Sequence, residues 1–242
     1  MHTEYFYFLL FGIAFLYASV GHGGASGYLA LMAISGAAPE TMKPTALILN
    51  LFVSLTSFIQ YYRGGHFRWK LFLPFILTSF PLAFLGGRIT IDAGMYKRIL
   101  GILLVVSVIR FLCFSNVQIT AQKRASTPLA LLIGAAIGFF SGLIGIGGGI
   151  LLSPLLLLLR WADMKQAAAV SALFIFVNSV SGLAGQMTIG LPVTPALYGY
   201  IAAALAGGLC GAYFGALKFG QATLKYILSA ALTVAALKLV FV

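Results

Sequence analysis

Long apolar stretches alternate with short polar or glycine-rich ones along the whole chain. A bilayer core takes roughly 20 apolar residues per crossing helix, and runs of about 10–14 fit re-entrant segments. Residues 5–20 are apolar, break at the glycine-rich stretch 21–27, and resume over 28–34. A loop around Pro39 and Glu40 follows, then apolar runs over 45–62, 71–87 and 99–114, the first closed by Arg63, Gly64, Gly65 and His66. The longest polar stretch is 115–127, with Lys123 and Arg124. The pattern then starts again: 128–144 is apolar, 145–149 is almost all glycine, and 150–159 is apolar. After a short loop at 160–165 come the runs 167–185, 196–217 and 226–242. Each run predicts a helix, because lipid leaves the backbone no other partner for its own N–H and C=O groups.

The two interrupted runs suggest a duplication. Sliding the chain by 124 residues lays Gly21, Gly23 and Gly24 on Gly145, Gly147 and Gly148. The same shift pairs Ile13 with Ile137, Phe15 with Phe139, Phe52 with Phe176, Ser57 with Ser181 and Gly87 with Gly211. Near the end a shift of 128 fits better, pairing Lys97 with Lys225. The division expected is therefore a first membrane repeat over 1–114, a cytoplasmic connection over 115–127 and a second membrane repeat over 128–242.

Composition narrows the class. Of 242 residues 61% are hydrophobic and only 8% charged, against about 25% charged in a soluble domain. Disorder needs low hydrophobicity and is excluded. Cys113 and Cys210 are the two cysteines, too few for a disulfide scaffold, and both read as small buried hydrophobes. The formal net charge of +11 would ordinarily suggest nucleic acid, but the basic residues are scattered between apolar runs rather than clustered, so no nucleic-acid partner is expected. The start of the chain has no basic region before its first apolar run, so a cleavable signal peptide is not expected.

Charge also orients the repeats. If every apolar block crossed once, Lys and Arg would divide almost evenly. If each glycine-broken block goes in and comes back, Lys43, Arg88, Lys97, Arg98 and Lys238 share one side and the other ten of the 15 basic residues share the opposite side. The positive-inside rule favours that second arrangement, with both termini outside the cytoplasm. Each half then makes an odd number of net crossings, which inverts one against the other. The fold expected is an all-α membrane protein of two inverted repeats, each a glycine-broken helical hairpin plus three transmembrane helices, a recurrent transporter plan.

Glycines inside apolar runs either let helices approach closely or break a helix and expose backbone N–H groups at the start of the next one. Such a start carries partial positive charge and binds anions. Three glycines within four residues, at equivalent places in both halves, favour the break. Neither cluster is a nucleotide loop: the first lacks the last glycine of the dinucleotide fingerprint and no Walker lysine follows either. The acids point the same way. Glu4, Glu40, Asp92 and Asp163 are the whole set, and none lies inside an apolar run. Cation and proton carriers usually place a carboxylate within the membrane.

The glycine clusters ending the first apolar run of each half, the Lys43-Pro44-Thr45-Ala46 and Lys165-Gln166-Ala167-Ala168 segments before the next helix, and Asn178-Ser179-Val180-Ser181-Gly182 within it together resemble the TauE/SafE family of sulfite exporters and related permeases. The resemblance covers nearly the whole chain. It implies a multi-pass secondary transporter of the bacterial or archaeal inner membrane, an exporter acting on small sulfur-containing anions such as sulfite or organosulfonates. His22 departs from the family pattern.

Polar residues within spans are costly unless satisfied, so each is a candidate. Asn50, Ser54, Ser57 and Gln60 share one face of their run, and Ser171, Asn178, Ser181 and Gly185 repeat much of that spacing. Serines often bond back to their own helix instead. His22 is the histidine set well inside an apolar block; it either joins helices by a hydrogen bond or touches substrate or a proton. The substrate-binding set expected is Gly21, His22, Gly23, Gly24, Asn50, Ser57, Gly145, Gly147, Gly148, Gly149, Asn178 and Ser181, with no catalytic residue, no metal and no cofactor. The partners are the bilayer and a small sulfur oxyanion or sulfonate; a coupling proton or Na+ and a homo-oligomer stay open. So do an anion channel and a membrane-embedded enzyme or assembly factor, although an enzyme would want clustered His, Asp or Glu.

Overall fold

The computed structural model describes residues 3–92, 94–95, 98–99, 102, 122–192, 194–224, 226–227 and 230. The runs expected at 99–114 and 226–242, most of the connection 115–127, and Cys113 lie largely or wholly outside the described residues. Those that are described form helices and turns without a strand. In chain order they are α1 Thr3–Ser19, α2 Ala25–Ile34, α3 Pro39–Arg63, α4 Trp69–Arg88, α5 Thr127–Ile144, α6 Gly149–Leu158, α7 Met164–Met187 and α8 Leu197–Tyr213, the last continued by a π-helical turn Phe214–Lys218.

Five segments are long and apolar enough to cross a membrane: Glu40–Arg63, Trp69–Arg88, Thr127–Ile144, Met164–Met187 and Leu197–Lys218. α2 and α6 have 10 residues each, about 15 Å of helix, which is half a hydrocarbon core. Large apolar side chains stay uncovered on the outer faces, with Phe8 75%, Leu132 68% and Leu77 66% exposed. That is a lipid-facing surface, since water would not tolerate so much of it. Cys210 belongs to this surface: it is exposed, against the expectation of a buried cysteine. In a bilayer an apolar side chain is as well placed facing lipid as facing protein, so apolarity alone does not imply burial.

Local chemistry sets the helix ends. Pro39 opens α3 within its first two positions, where its missing N–H costs nothing. Asp163 and Gln166 form a reciprocal capping box at the start of α7, which satisfies two otherwise unpaired donors. α3 therefore begins earlier than the apolar run at 45–62, and Lys43 and Pro44 lie inside it.

Most glycines outside the breaks are packing devices. Gly134, Gly138 and Gly142 of α5 lie against the backbone at Phe75, Ser79 and Ala83 of α4. Gly207 and Gly211 of α8, continued by Gly215, lie in the same way against Phe11, Phe15 and Ser19 of α1. A Cβ at any of these would collide with backbone. Glycine every fourth residue keeps one face bare, so the helix axes come close and dispersion replaces the hydrophobic drive that lipid does not supply.

The packing repeats between halves. α4 packs on α5 as α8 packs on α1; α4 packs on α7 as α8 packs on α3; α2 packs on α3 as α6 packs on α7. Exchanging α1–α4 with α5–α8 maps this set onto itself, with α3 against α7 at the centre. Those two run antiparallel: Leu47 near the start of α3 lies by Gly182 near the end of α7, and Tyr61 near the end of α3 shares a cluster with Ala168 near the start of α7.

Hydrogen bonds sort the loops between the two ends of the bundle. Arg68 Nη1 donates to Gln122 Oε1 at 2.9 Å, to the Trp161 carbonyl at 3.3 Å and to Gln166 Oε1 at 3.4 Å. Lys165 Nζ donates to the Ala216 carbonyl at 3.1 Å. The α3–α4 loop, the segment 122–126, the α6–α7 loop and the end of α8 thus gather at one end. Lys43 Nζ donates to the Gly87 carbonyl at the other, at 3.2 Å. Arg68 and Lys165 therefore sit at one end of the bundle and Lys43 at the other.

Candidate functional site

The two breaks are built alike. α1 ends at Ser19, and the chain turns through Gly21 (φ 76°) and Gly24 (φ 93°) into α2. α5 ends on Gly145 (φ 85°), and Gly147 (φ 74°) and Gly148 (φ 79°) lead into α6. These left-handed conformations cost glycine nothing and other residues about 1 kcal/mol or more. Gly24 and Gly148 occupy the N-cap positions of α2 and α6, and no side chain caps either helix. The first N–H groups of each helix therefore have no carbonyl of their own helix to bond.

The breaks meet at mid-length of the central pair. Asn50 lies halfway along the 25-residue α3, and Ile175 halfway along the 24-residue α7. A Cβ on Gly23 would strike Asn50 Oδ1. A Cβ on Gly147 would come within 2.7 Å of both Asn50 Nδ2 and Ile175 Cγ2, and within 3.3 Å of Ser179 Oγ. Gly149 presses on Ile175 and on the His22 ring. Asn50 thus touches both breaks at once. Gly21 lies against the Ala168 carbonyl in α7, and Gly145 against Lys43 in α3, so each break also leans on the long helix of the opposite half.

One hydrogen bond joins the breaks directly. His22 Nε2 donates to the Gly149 carbonyl at 3.0 Å. A carbonyl only accepts, so Nε2 carries the proton, which leaves Nδ1 as the free lone pair of a neutral ring. Nδ1 is buried without a partner. His22 also lines a small cavity of about 10 Å³, together with Tyr17, Gly23, Ser26, Ile146 and Ile175 among others, room for about one water-sized sphere. Ser26 Oγ donates to the Tyr17 hydroxyl at 2.9 Å on its rim.

Unpartnered polar atoms collect around this point. Asn50 Nδ2 and Oδ1 and Ser179 Oγ beside Gly147, Ser141 Oγ beside Gly148, Tyr28 Oη beside Gly24, and His22 Nδ1 are all buried and unbonded. Native interiors leave few such groups. A concentration where two uncapped helix starts converge makes a polar pocket whose own atoms do not satisfy it. The four acids stand away from it at helix ends and loops, and among the described residues no three His, Cys, Asp or Glu side chains gather as metal ligands.

The sequence-predicted residues divide. Gly21, His22, Gly23, Gly24, Gly145, Gly147, Gly148, Gly149 and Asn50 come together. Ser57 does not join them: its hydroxyl donates to the Val53 carbonyl at 2.9 Å and lies 3.4 Å from that of Ala18. Ser181 donates to the Phe80 carbonyl of α4. Asn178 spends its amide donor on the Phe174 carbonyl at 2.9 Å and keeps one free acceptor. Ile175 and Ser179, outside the expected set, also lie against the second break at Gly147. The repeat itself held the signal for Ile175, since the shift of 124 carries Asn50 to Phe174, one residue away. The centre is therefore asymmetric, with an amide from α3 facing an aliphatic side chain from α7.

The family model described as sulfite exporter TauE/SafE matches residues 6–239. The chain belongs to this family. It is 40% identical over 235 residues to the probable membrane transporter protein y4hK of Sinorhizobium fredii, covering 96% of this chain and 95% of that one. It is 27% identical over 234 residues to the probable membrane transporter protein YdhB of Bacillus subtilis, covering 93% of each. No solved structure matches. As a TauE/SafE member with five membrane-length helices, the chain is a multi-pass membrane transporter and not an enzyme, in keeping with the expected inner-membrane location.

Proposed function

We infer that this TauE/SafE protein exports small sulfur-containing anions, sulfite or an organosulfonate, as a secondary transporter working by alternating access. One observation carries the reading: two uncapped helix N-termini from opposite halves meet at Asn50 amid buried, unbonded polar atoms. Helix starts supply N–H donors and partial positive charge, and no carboxylate is near to repel an oxyanion. The exchange-invariant packing and the antiparallel α3 and α7 support two inverted repeats, 1–114 and 128–242, joined by a cytoplasmic connection at 115–127. Rocking of one repeat against the other about this fixed centre would open it to either side in turn. His22 is suited to carry a coupling proton: its Nδ1 is buried without a partner while Nε2 holds the opposite break. An anion arriving beside it would favour protonation there.

The test is a thermal-shift screen of the purified chain with sulfite, sulfate, thiosulfate, sulfoacetate and phosphate, repeated on Gly147→Val. The parent should be stabilised by sulfite or a sulfonate. Gly147→Val should lose that shift, because its side chain enters the space of Asn50 and Ile175. A Gly147→Val protein that binds and transports like the parent would reduce the break to a packing device.

A further inference from the structure

Lys43 is a buried cation. It is 8% exposed, inside α3, with its stem against Gly145, the first residue of the second break (2.9 Å from Cγ to where a Cβ would stand). Its amine uses one of three donors, to the Gly87 carbonyl at 3.2 Å. All four acids of the chain are described. Three of them, Glu4, Glu40 and Asp92, are exposed, and Asp163 caps α7 at the opposite end of the bundle. None pairs with Lys43. The end of α4 offers a partial negative charge, but not a counter-ion. A buried charge without a partner is costly to keep, and two amine protons remain unassigned. The corresponding lysine of the other half, Lys165, also donates to a carbonyl near the end of its neighbouring helix, but it is partly exposed to solvent, whereas Lys43 is buried.

We propose that Lys43 supplies the counter-charge of a second anion position, beside Gly145 on the side where α4 ends, that the transported oxyanion occupies between the central breaks and that face of the membrane. This rests on the reading of the breaks as an anion site. The geometry gives the position its chemistry. A primary amine with two spare donors suits a compact oxyanion, and the glycine beside it leaves room for the lysine stem, which a Cβ there would crowd. Lys43 would thus draw the anion from the α4 end and release it toward Asn50, each position holding the charge weakly enough to pass it on.

The experiment measures sulfite flux into proteoliposomes against sulfite concentration and ionic strength, for the parent, Lys43→Gln, Lys43→Arg and Gly147→Val. Lys43→Gln should raise KM about tenfold or more, the loss of one charge-assisted contact, while the maximal rate changes less. Its KM should stay above the parental value at every ionic strength, since salt screens a buried charge only weakly. Lys43→Arg should recover most of the affinity. A lysine that only caps α4 would lower the melting temperature when replaced and leave KM at the parental value; that result overturns the proposal. If Lys43→Gln does not elute as a single species, Lys43→Met, which keeps the apolar stem and drops the charge, is measured in its place against the same criteria. Gly147→Val separates the two readings. Parental flux in Gly147→Val refutes the central site, whereas lost flux there with an unaltered Lys43→Gln refutes only the Lys43 position.

Discussion

Replacing Asn50 by leucine should make the protein more stable and less able to bind. Asn50 is fully buried, and neither its amide nitrogen nor its oxygen has a partner. Leaving a polar side chain in that state costs about 1–3 kcal/mol by mutational measures. Leucine is of similar volume and carries no such cost, so Asn50→Leu should stabilise the unliganded protein by about 1–3 kcal/mol. For a chain of this size that is a rise in melting temperature of roughly 2–10 °C. Binding should move the other way. A hydrogen bond to a charged ligand is worth about 1.5–3 kcal/mol, roughly ten- to hundredfold in affinity. Differential scanning fluorimetry with and without sulfite reads both effects in one experiment. The melting curve should move up without ligand, and the ligand-induced shift should vanish. Asn50→Asp should also abolish binding, because a carboxylate between the two breaks repels the anion. A less stable Asn50→Leu that keeps its sulfite shift would refute the reasoning and make Asn50 a structural residue.

Ser57→Ala and Ser181→Ala should change anion affinity by less than about threefold, since both hydroxyls are already committed to carbonyls and a neutral contact is worth only about 1 kcal/mol; a tenfold loss measured by isothermal titration would place them at the anion. The His66 imidazole, in the α3–α4 loop, is held below its usual range by burial and then by Lys165, against the opposing pull of Asp163. The unfolded chain therefore binds that proton more tightly, so stability is full above about pH 6.5 and falls as pH drops below it. His66→Gln should flatten that fall in melts between pH 5 and 7.5, and superimposable slopes would contradict it. Gln122→Cys, in a chain freed of Cys113 and Cys210, should resist an impermeant maleimide in intact cells and react in inverted vesicles; strong labelling from outside would reverse the orientation.

The membrane class, the helical content, the two breaks and their repetition are legible in the sequence because they depend on local and one-dimensional facts. Lipid gives unpaired backbone groups no partner, so a long apolar run has one conformation open to it, and clustered glycines that interrupt it at a fixed offset mark the same turn twice. What the order of runs does not contain is which way each side chain points. α1, α5 and α6 are apolar all round, so no polar stripe marks the inner face. Only the packing of α3 against α7 sets Asn50 between the breaks while Ser57 and Ser181 bond to helix carbonyls. Likewise only the approach of α4 and α5 seals Lys43 inside, and only the position of α8 at the rim turns Cys210 toward lipid. In water the burial of apolar groups would have fixed these faces from the sequence. In lipid both faces are equally favourable to an apolar side chain, so the close fit of glycine seams and the search of polar groups for partners decide them.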